Sequence, residues 1–355
     1  MEYRRLGRTN LNLSIISLGG VPLFTQPEDT ALKVINFALD QGINYYDLDE
    51  TKNQFIPGKV YKDGGRKIGR VLKHRRSECY LGVKSMRQTY DEVKEDVDMA
   101  LDRLLKGTSR EVIDIFHLAF LDSPEKMKII LSEQGGLRAL EEARDEGKID
   151  FILGAAHNPA TLIQAIKTGR FDAVEFPFNI IENEYCAEML PLAKQMDIGT
   201  IAMKPVGGGQ LAGLYDLSLR WALGHEIDCA IPGMKSVDEV KKNVEIGHNL
   251  TPLSRPELER LRALGEQIGK EYCHRCGYCL PCPQGIMILG VLDLVKGPLL
   301  SLERKKKTYR EILIEKFKSD PANCEQCGQC IEKCPFNLPI PDLMKRAVEM
   351  FGQEE

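Results

Sequence analysis

Up to about residue 250 the chain alternates eight short apolar segments with amphipathic ones, and this alternation restricts the fold more than any other feature. The strand candidates are Ile15–Leu18, Asn44–Asp47, Tyr80–Val83, Asp114–Ala119, Phe151–Gly154, Asp172–Phe176, Thr200–Met203 and Cys229–Ile231. Helical patterns such as Asp29–Leu39, Asp91–Leu105, Leu137–Glu146, Pro159–Lys167 and Val237–Ile246 lie between them. Strands that alternate with helices imply a parallel sheet, and eight such units predict an α/β chain built as a (β/α)8 TIM barrel rather than a doubly wound sheet. Chemistry in such barrels gathers at the C-terminal ends of the strands.

The second constraint is cysteine spacing. Eight of the eleven cysteines form two runs, Cys273, Cys276, Cys279 and Cys282, then Cys324, Cys327, Cys330 and Cys334, each closed by a proline. Three thiolates from one tight loop reach three irons of a cubane, and the cysteine before the proline serves the other cluster. The spacing therefore predicts two [4Fe-4S] clusters, one on Cys273, Cys276, Cys279 and Cys334, the other on Cys324, Cys327, Cys330 and Cys282. Zinc is the competing reading, but zinc sites take two ligands, a loop and two more. Cys79, Cys186 and Cys229 stand alone in apolar stretches and read as core.

The 355 residues suffice for two domains, or for one barrel with an appendage. A net charge of −4 supplies no general attraction to nucleic acid. No apolar run approaches the ~20 residues that span a bilayer. The N-terminus, MEYRRLGRTN, has no signal-like apolar core, so the expected setting is soluble and cytoplasmic, where thiols stay reduced. The basic run Arg304–Lys307 reads as a solvated helix face, or as a dock for an acidic electron carrier.

Two glycine clusters follow late strands. Gly207–Gly209 comes after the seventh, and Pro232-Gly233-Met234-Lys235-Ser236 after the eighth, directly before a helix whose N-terminus favours anions. Each alone is only a turn. No GxGxxG follows the first strand, so a Rossmann site has no support.

Together, Tyr3-Arg4-Arg5-Leu6-Gly7-Arg8-Thr9, Asn44-Tyr45-Tyr46-Asp47, Tyr80-Leu81-Gly82-Val83-Lys84, Met203-Lys204-Pro205-Val206-Gly207-Gly208-Gly209 and Ile231-Pro232-Gly233-Met234 resemble the aldo-keto reductase family. The resemblance covers about residues 1–265. With the cysteine runs it implies the subgroup carrying a ferredoxin-like tail, here residues 266–355, expected to be mainly α-helical. It further implies NADP(H)-linked reduction of a carbonyl on a small-molecule substrate, with an aspartate, tyrosine, lysine and histidine at the barrel mouth. Asp47 and Lys84 fall on the first and third roles. A nearby ammonium stabilises a phenolate and makes the tyrosine a better acid. Lys52 occupies the usual tyrosine position, and Tyr61, which opens a segment like the family's own tyrosine segment, is the candidate donor. The histidine position falls on Ala119, and His117, two residues earlier on the same strand face, is the candidate substitute.

For the cofactor, the resemblance implies Lys204, Gly207, Gly209 and Leu211 at the pyrophosphate, Pro232, Gly233, Lys235 and Ser236 at a phosphate, and Glu239 and Asn243 at the adenine. His157 and Asn158 would face the nicotinamide. Nicotinamide delivers an electron pair and each cluster takes one electron, so the two halves imply a flavin as intermediary, clusters that feed the substrate directly, or clusters that only clamp the tail. A redox partner protein fits the first two. A non-catalytic electron-transfer or redox-sensing protein is the alternative function. Leu292, Leu294, Leu299 and Leu300 predict an apolar face with which the tail packs on the barrel.

Overall fold

The computed structural model describes residues 1–48, 62–297 and 301–352. An antiparallel hairpin comes first, β1 (Tyr3–Arg5) and β2 (Asn12–Ser14). Eight parallel strands follow, β3 (Leu18–Gly19), β4 (Tyr45–Leu48), β5 (Tyr80–Ser85), β6 (Ile113–Leu118), β7 (Ile149–Ala155), β8 (Ala173–Pro177), β9 (Gly199–Met203) and β10 (Cys229–Ile231). They neighbour one another in chain order. Closure comes from the residues just before β3: Ser17 N donates to Ala230 O at 2.9 Å and Ala230 N donates to Ile15 O at 2.8 Å. The barrel foreseen from the alternation is thus the fold. Helix Pro159–Lys167 lies where the pattern placed it, and helix Tyr90–Ala100 passes into wider turns over Leu101–Leu105.

A strand's period of two sorts the barrel's side chains. Tyr46, Leu81, Val83, Phe116, Leu118, Ile152 and Val174 face outward into the core shared with the helices. Tyr45, Ile115, Leu153, Ala173, Ile201 and Cys229 form a separate inner core. The hairpin, which the strand pattern did not foresee, adds Leu6 and Leu13 to that inner core and plugs the end opposite the mouth. Its entry requires Gly199, where a Cβ would lie 2.6 Å from Leu6 Cγ.

Helix Arg255–Gly269 leads into the tail, which holds helices Ile288–Lys296, Leu302–Thr308, Gln329–Glu332 and Ile340–Phe351. The tail has a core of its own. Leu292 and Leu294 point into it, with Tyr309, Leu343, Ala347 and Phe351. The expectation that these leucines bind the barrel is corrected: helix Ile340–Phe351 buries them within the tail. Leu299 and Leu300 lie outside the described residues. The tail instead meets the barrel through polar contacts, Tyr272 Oη donating to Glu182 Oε2 at 2.7 Å, and His274 Nδ1 standing 3.1 Å from Glu184 Oε1. Among the described residues no helix is long and apolar enough to cross a membrane.

Candidate active site and thiol clusters

The inward positions nearest the mouth carry charge. Asp47 on β4, Lys84 on β5, His117 on β6 and Glu175 on β8 are all buried. Lys84 Nζ lies 2.8 Å from Asp47 Oδ1 and also contacts Glu175 Oε1. His117 Nε2 is 3.0 Å from Tyr45 Oη. On its other side His117 Nδ1 approaches Glu175 Oε2 at 3.1 Å and Asp47 Oδ2 at 3.7 Å. The former approach is not aligned as a hydrogen bond, so Nδ1 and Oε2 are both left without one among the described residues. Gly82 makes the cluster possible, since a Cβ there would sit 2.2 Å from Tyr45 Oη and 2.9 Å from His117 Nε2.

Two carboxylates, one ammonium and a neutral imidazole leave one surplus negative charge in a water-poor interior. Burial, then the Glu175 charge, push Asp47 up to about 6 against the pull of Lys84 and His117. Burial pushes His117 down to about 3, so at neutral pH the ring is uncharged. Asp47, His117 and Glu175 also hold ligand atoms within 4.8 Å of one another, a set of the kind that binds a metal ion. The Lys84 ammonium already supplies a cation to both carboxylates. Chemically, the cluster fixes an ammonium at the mouth and raises the affinity of the Asp47 carboxylate for a proton.

A second charged group lies on the rim. Lys204, just past β9, has a left-handed backbone (φ 52°), and its Nζ is 2.7 Å from His157 Nε2. His157 N donates to Asp122 Oδ1 at 2.6 Å, and Nδ1 lies 3.5 Å from Asp122 Oδ2. With the ammonium donating to Nε2, the imidazole proton belongs on Nδ1, toward Asp122. Burial, then Arg275 of the tail, bring Lys204 down to about 8. Burial, then Lys204, bring His157 down to about 4.

Asn158 caps helix Pro159–Lys167 by accepting from Ala160 N at 3.0 Å, and Tyr278 Oη of the tail donates to the same oxygen at 3.3 Å. Gly207 and Gly209 have positive φ, and Leu211 is buried against the loop they form. Past β10, Pro232 O accepts from Gly19 N, and Gly233 must be glycine because a Cβ would lie 2.5 Å from Pro22 Cγ. Ser236 caps helix Val237–His248 by accepting from Glu239 N at 3.2 Å, and Glu239 accepts from Lys235 N at 2.8 Å. Asn243 is fully buried, its amide without a partner among the described residues. Tyr61 lies outside the described residues.

None of the eleven cysteines forms a disulfide. One pocket of the tail is lined by Cys279, Cys282, Cys324, Cys327 and Cys330. Burial, with Cys334 nearby, raises the Cys276 thiol above its ordinary value, and burial, then Cys276 and Cys334, pushes Cys279 up to about 12. Burial pushes Cys273 up to about 12, with Cys279 adding a little. Eight sulfur donors in two groups, with no disulfide, suit iron–sulfur clusters.

Inspection of the sequence alone missed Glu175, Tyr45 and the two tail residues Arg275 and Tyr278. Glu175 had a signal, because a carboxylate within Ala173–Pro177 cannot be buried without a partner.

Comparisons with known proteins agree with this architecture. Residues 15–216 match the aldo/keto reductase family and residues 266–335 match a 4Fe-4S dicluster domain. An uncharacterized oxidoreductase of Bacillus subtilis (strain 168), YrpG, is 26% identical over 238 residues, 60% of this chain and 69% of that protein. The holo form of aldo-keto reductase AKR11C1 from Bacillus halodurans has a TM-score of 0.60 at 22% identity, covering 74% of this chain and 96% of its own. Its apo form has a TM-score of 0.56. At that identity the likeness speaks for the fold.

Proposed function

The chain belongs to the aldo/keto reductase family of oxidoreductases and carries a 4Fe-4S dicluster domain, and on that premise we propose that its barrel reduces a small-molecule carbonyl with NADP(H). The observation that carries this reading is the 2.8 Å contact between Lys84 Nζ and Asp47 Oδ1 at the mouth ends of adjacent strands. A bound nicotinamide supplies the hydride. Asp47 and Glu175 hold Lys84 in place, and the ammonium strengthens the acid that protonates the developing alkoxide. Tyr61 is the proposed acid, with His117 and Tyr45 supporting the carboxylates behind it. Lys204, Gly207, Gly209, Lys235 and Ser236 are the proposed hold on the cofactor's phosphates, and His157 and Asn158 its nicotinamide end.

The proposed ligands of one cluster are Cys282, Cys324, Cys327 and Cys330, and of the other Cys273, Cys276, Cys279 and Cys334. The shared pocket supports the first set. Bound clusters would supply single electrons for a partner protein, and a flavin in the barrel would reconcile them with a two-electron donor. Ala119 favours one further reading: at the family's histidine position it is a methyl that donates nothing, as in a barrel that has given up carbonyl chemistry for electron transfer or redox sensing.

The test is NADPH binding and NADPH-dependent turnover of a panel of aldehydes and ketones by wild type and Lys84→Met. The proposal expects both proteins to bind NADPH and Lys84→Met to lose on the order of 100-fold in turnover. Turnover unchanged in Lys84→Met would contradict it. A wild type that binds no NADPH and reduces no carbonyl selects the electron-transfer reading.

A further inference from the structure

Three side chains reach one point inside the barrel from alternate strands, Asp47 from β4, His117 from β6 and Glu175 from β8, as side chains of one interior layer do in a (β/α)8 barrel. Asp47 Oδ1 and Glu175 Oε1 face Lys84. Their other oxygens turn to the histidine: Glu175 Oε2 stands 3.1 Å from His117 Nδ1, and Asp47 Oδ2 stands 3.7 Å from it. Both Nδ1 and Oε2 are buried and have no hydrogen bond among the described residues.

The far side of the ring decides what Nδ1 offers. Tyr45 has one hydroxyl proton and two polar neighbours, Asp47 Oδ2 at 3.4 Å and His117 Nε2 at 3.0 Å. When the hydroxyl donates to Asp47, its oxygen accepts from Nε2–H, and one phenol serves both neighbours. Nδ1 then carries a lone pair, and three acceptors, Nδ1, Oδ2 and Oε2, converge with no donor among them. The other tautomer spends the hydroxyl on Nε2 and sets Nδ1–H against Glu175 Oε2 out of line for a hydrogen bond. Donors around an ion bound at 2.0–2.2 Å stand roughly 3–3.5 Å apart, close to the spacing here. A ligating histidine also commonly donates its second nitrogen to a fixed oxygen, the part Tyr45 plays. Two carboxylates and one ammonium leave a net negative charge for a cation to meet.

We infer that Asp47, His117 and Glu175 form a metal site inside the barrel, for a divalent transition ion of the zinc or manganese kind. One imidazole and two carboxylates suit such an ion, whereas magnesium demands near-ideal octahedral oxygen and is poorly matched. The site goes beyond the carbonyl-reduction reading and does not depend on a nicotinamide. Its ion takes the place of the proton that otherwise neutralises the cluster, and it shares both carboxylates with Lys84, which makes the ammonium its competitor. Three protein ligands leave a coordination position open.

The test uses the full chain purified without oxygen, with its clusters in place and oxidised so that they give no paramagnetic signal. Manganese(II) is the probe, because it favours oxygen over the thiols of the tail and loses its sharp solution signal in electron paramagnetic resonance when bound. Wild type is expected to bind one ion per chain, displaced by zinc and not by an equal concentration of magnesium. His117→Asn and Glu175→Gln each remove a ligand and should weaken binding by more than about 100-fold; Tyr45→Phe removes only the group that orients the ring and should weaken it by about 10–100-fold. Lys84→Met withdraws the competing cation and should tighten binding by about tenfold or more. An ion on the surface or at the tail's thiols would answer to none of these changes. Binding retained in both His117→Asn and Glu175→Gln overturns the site, as does a wild type that binds neither manganese nor zinc. If Lys84→Met is poorly folded, a thermal midpoint raised by manganese supports the site, and a midpoint that manganese leaves in place opposes it. Carbonyl reduction by the same metal-free wild type would show that the reductase reading survives failure of the site.

Discussion

Two lysines stand at the mouth ends of two strands, and their surroundings are opposite. Lys84 is enclosed by Asp47 and Glu175 inside the barrel, whereas Lys204 on the rim meets the ring of a neutral histidine. The interior centre is complete in itself and carries a surplus negative charge that a proton can neutralise. At the rim Lys204 has no carboxylate within ion-pair distance among the described residues, and Asp122 stands on the far side of the histidine it contacts. One lysine is held by two ion pairs, the other by a single contact with an uncharged ring.

The largest test of this contrast compares Lys84→Met with Lys204→Met. Removing Lys84 strands two buried carboxylates and is expected to cost about 3–5 kcal/mol in denaturant unfolding of the barrel. Lys204→Met abandons no carboxylate and should leave stability unchanged or improved. Equal losses would break the comparison.

Next is Gly82→Ala, whose methyl would press on Tyr45 Oη and His117 Nε2. Overpacking of this kind costs about 1–3 kcal/mol. Adding Tyr45→Phe removes the hydroxyl in the way, so a double-mutant cycle should recover part of the loss; strict additivity would place the clash elsewhere.

The third test is pH. Asp47 titrates at about 6 in the folded chain against 3.8 ordinarily, so the folded state holds a proton between those values that the unfolded state has lost. Stability from this group is therefore greatest below about 4 and declines as pH rises toward 6. Glu175→Gln removes the neighbouring charge but not the burial, and should flatten only part of that decline in stability measured across pH 4–7. An identical pH profile in the two proteins would mean that the Glu175 charge does not reach Asp47.

The smallest effect belongs to Tyr278→Phe, which gives up one half-exposed 3.3 Å hydrogen bond to Asn158. Under about 1 kcal/mol is expected, read as faster hydrogen exchange confined to the first cysteine loop. Exchange that accelerates through the whole barrel would show that the loop does more than dock.

The barrel was legible because its outward strand faces are continuous apolar segments of regular length, and the cysteine runs because thiol spacing reports a loop geometry directly. Asp47 and Lys84 were singled out by resemblance, and they stand 2.8 Å apart. The hairpin was missed since three-residue strands carry too little pattern. Glu175 passed as part of a strand although its charge marked it. Leu292 and Leu294 announced an apolar face without saying what would cover it, and a helix 50 residues later did. The docking of Tyr278 on Asn158 has no sequence signal, because it depends on how the tail sits on the barrel.

The most direct measurement is iron, acid-labile sulfide and flavin content of anaerobically purified chain, followed in the same cuvette by NADPH titration watched at the cluster absorbance. The account predicts about eight irons per chain and bleaching of that absorbance by NADPH, with the barrel and the tail acting as one redox unit. About eight irons whose absorbance NADPH leaves untouched would contradict it, leaving a barrel and a metal domain that do not exchange electrons.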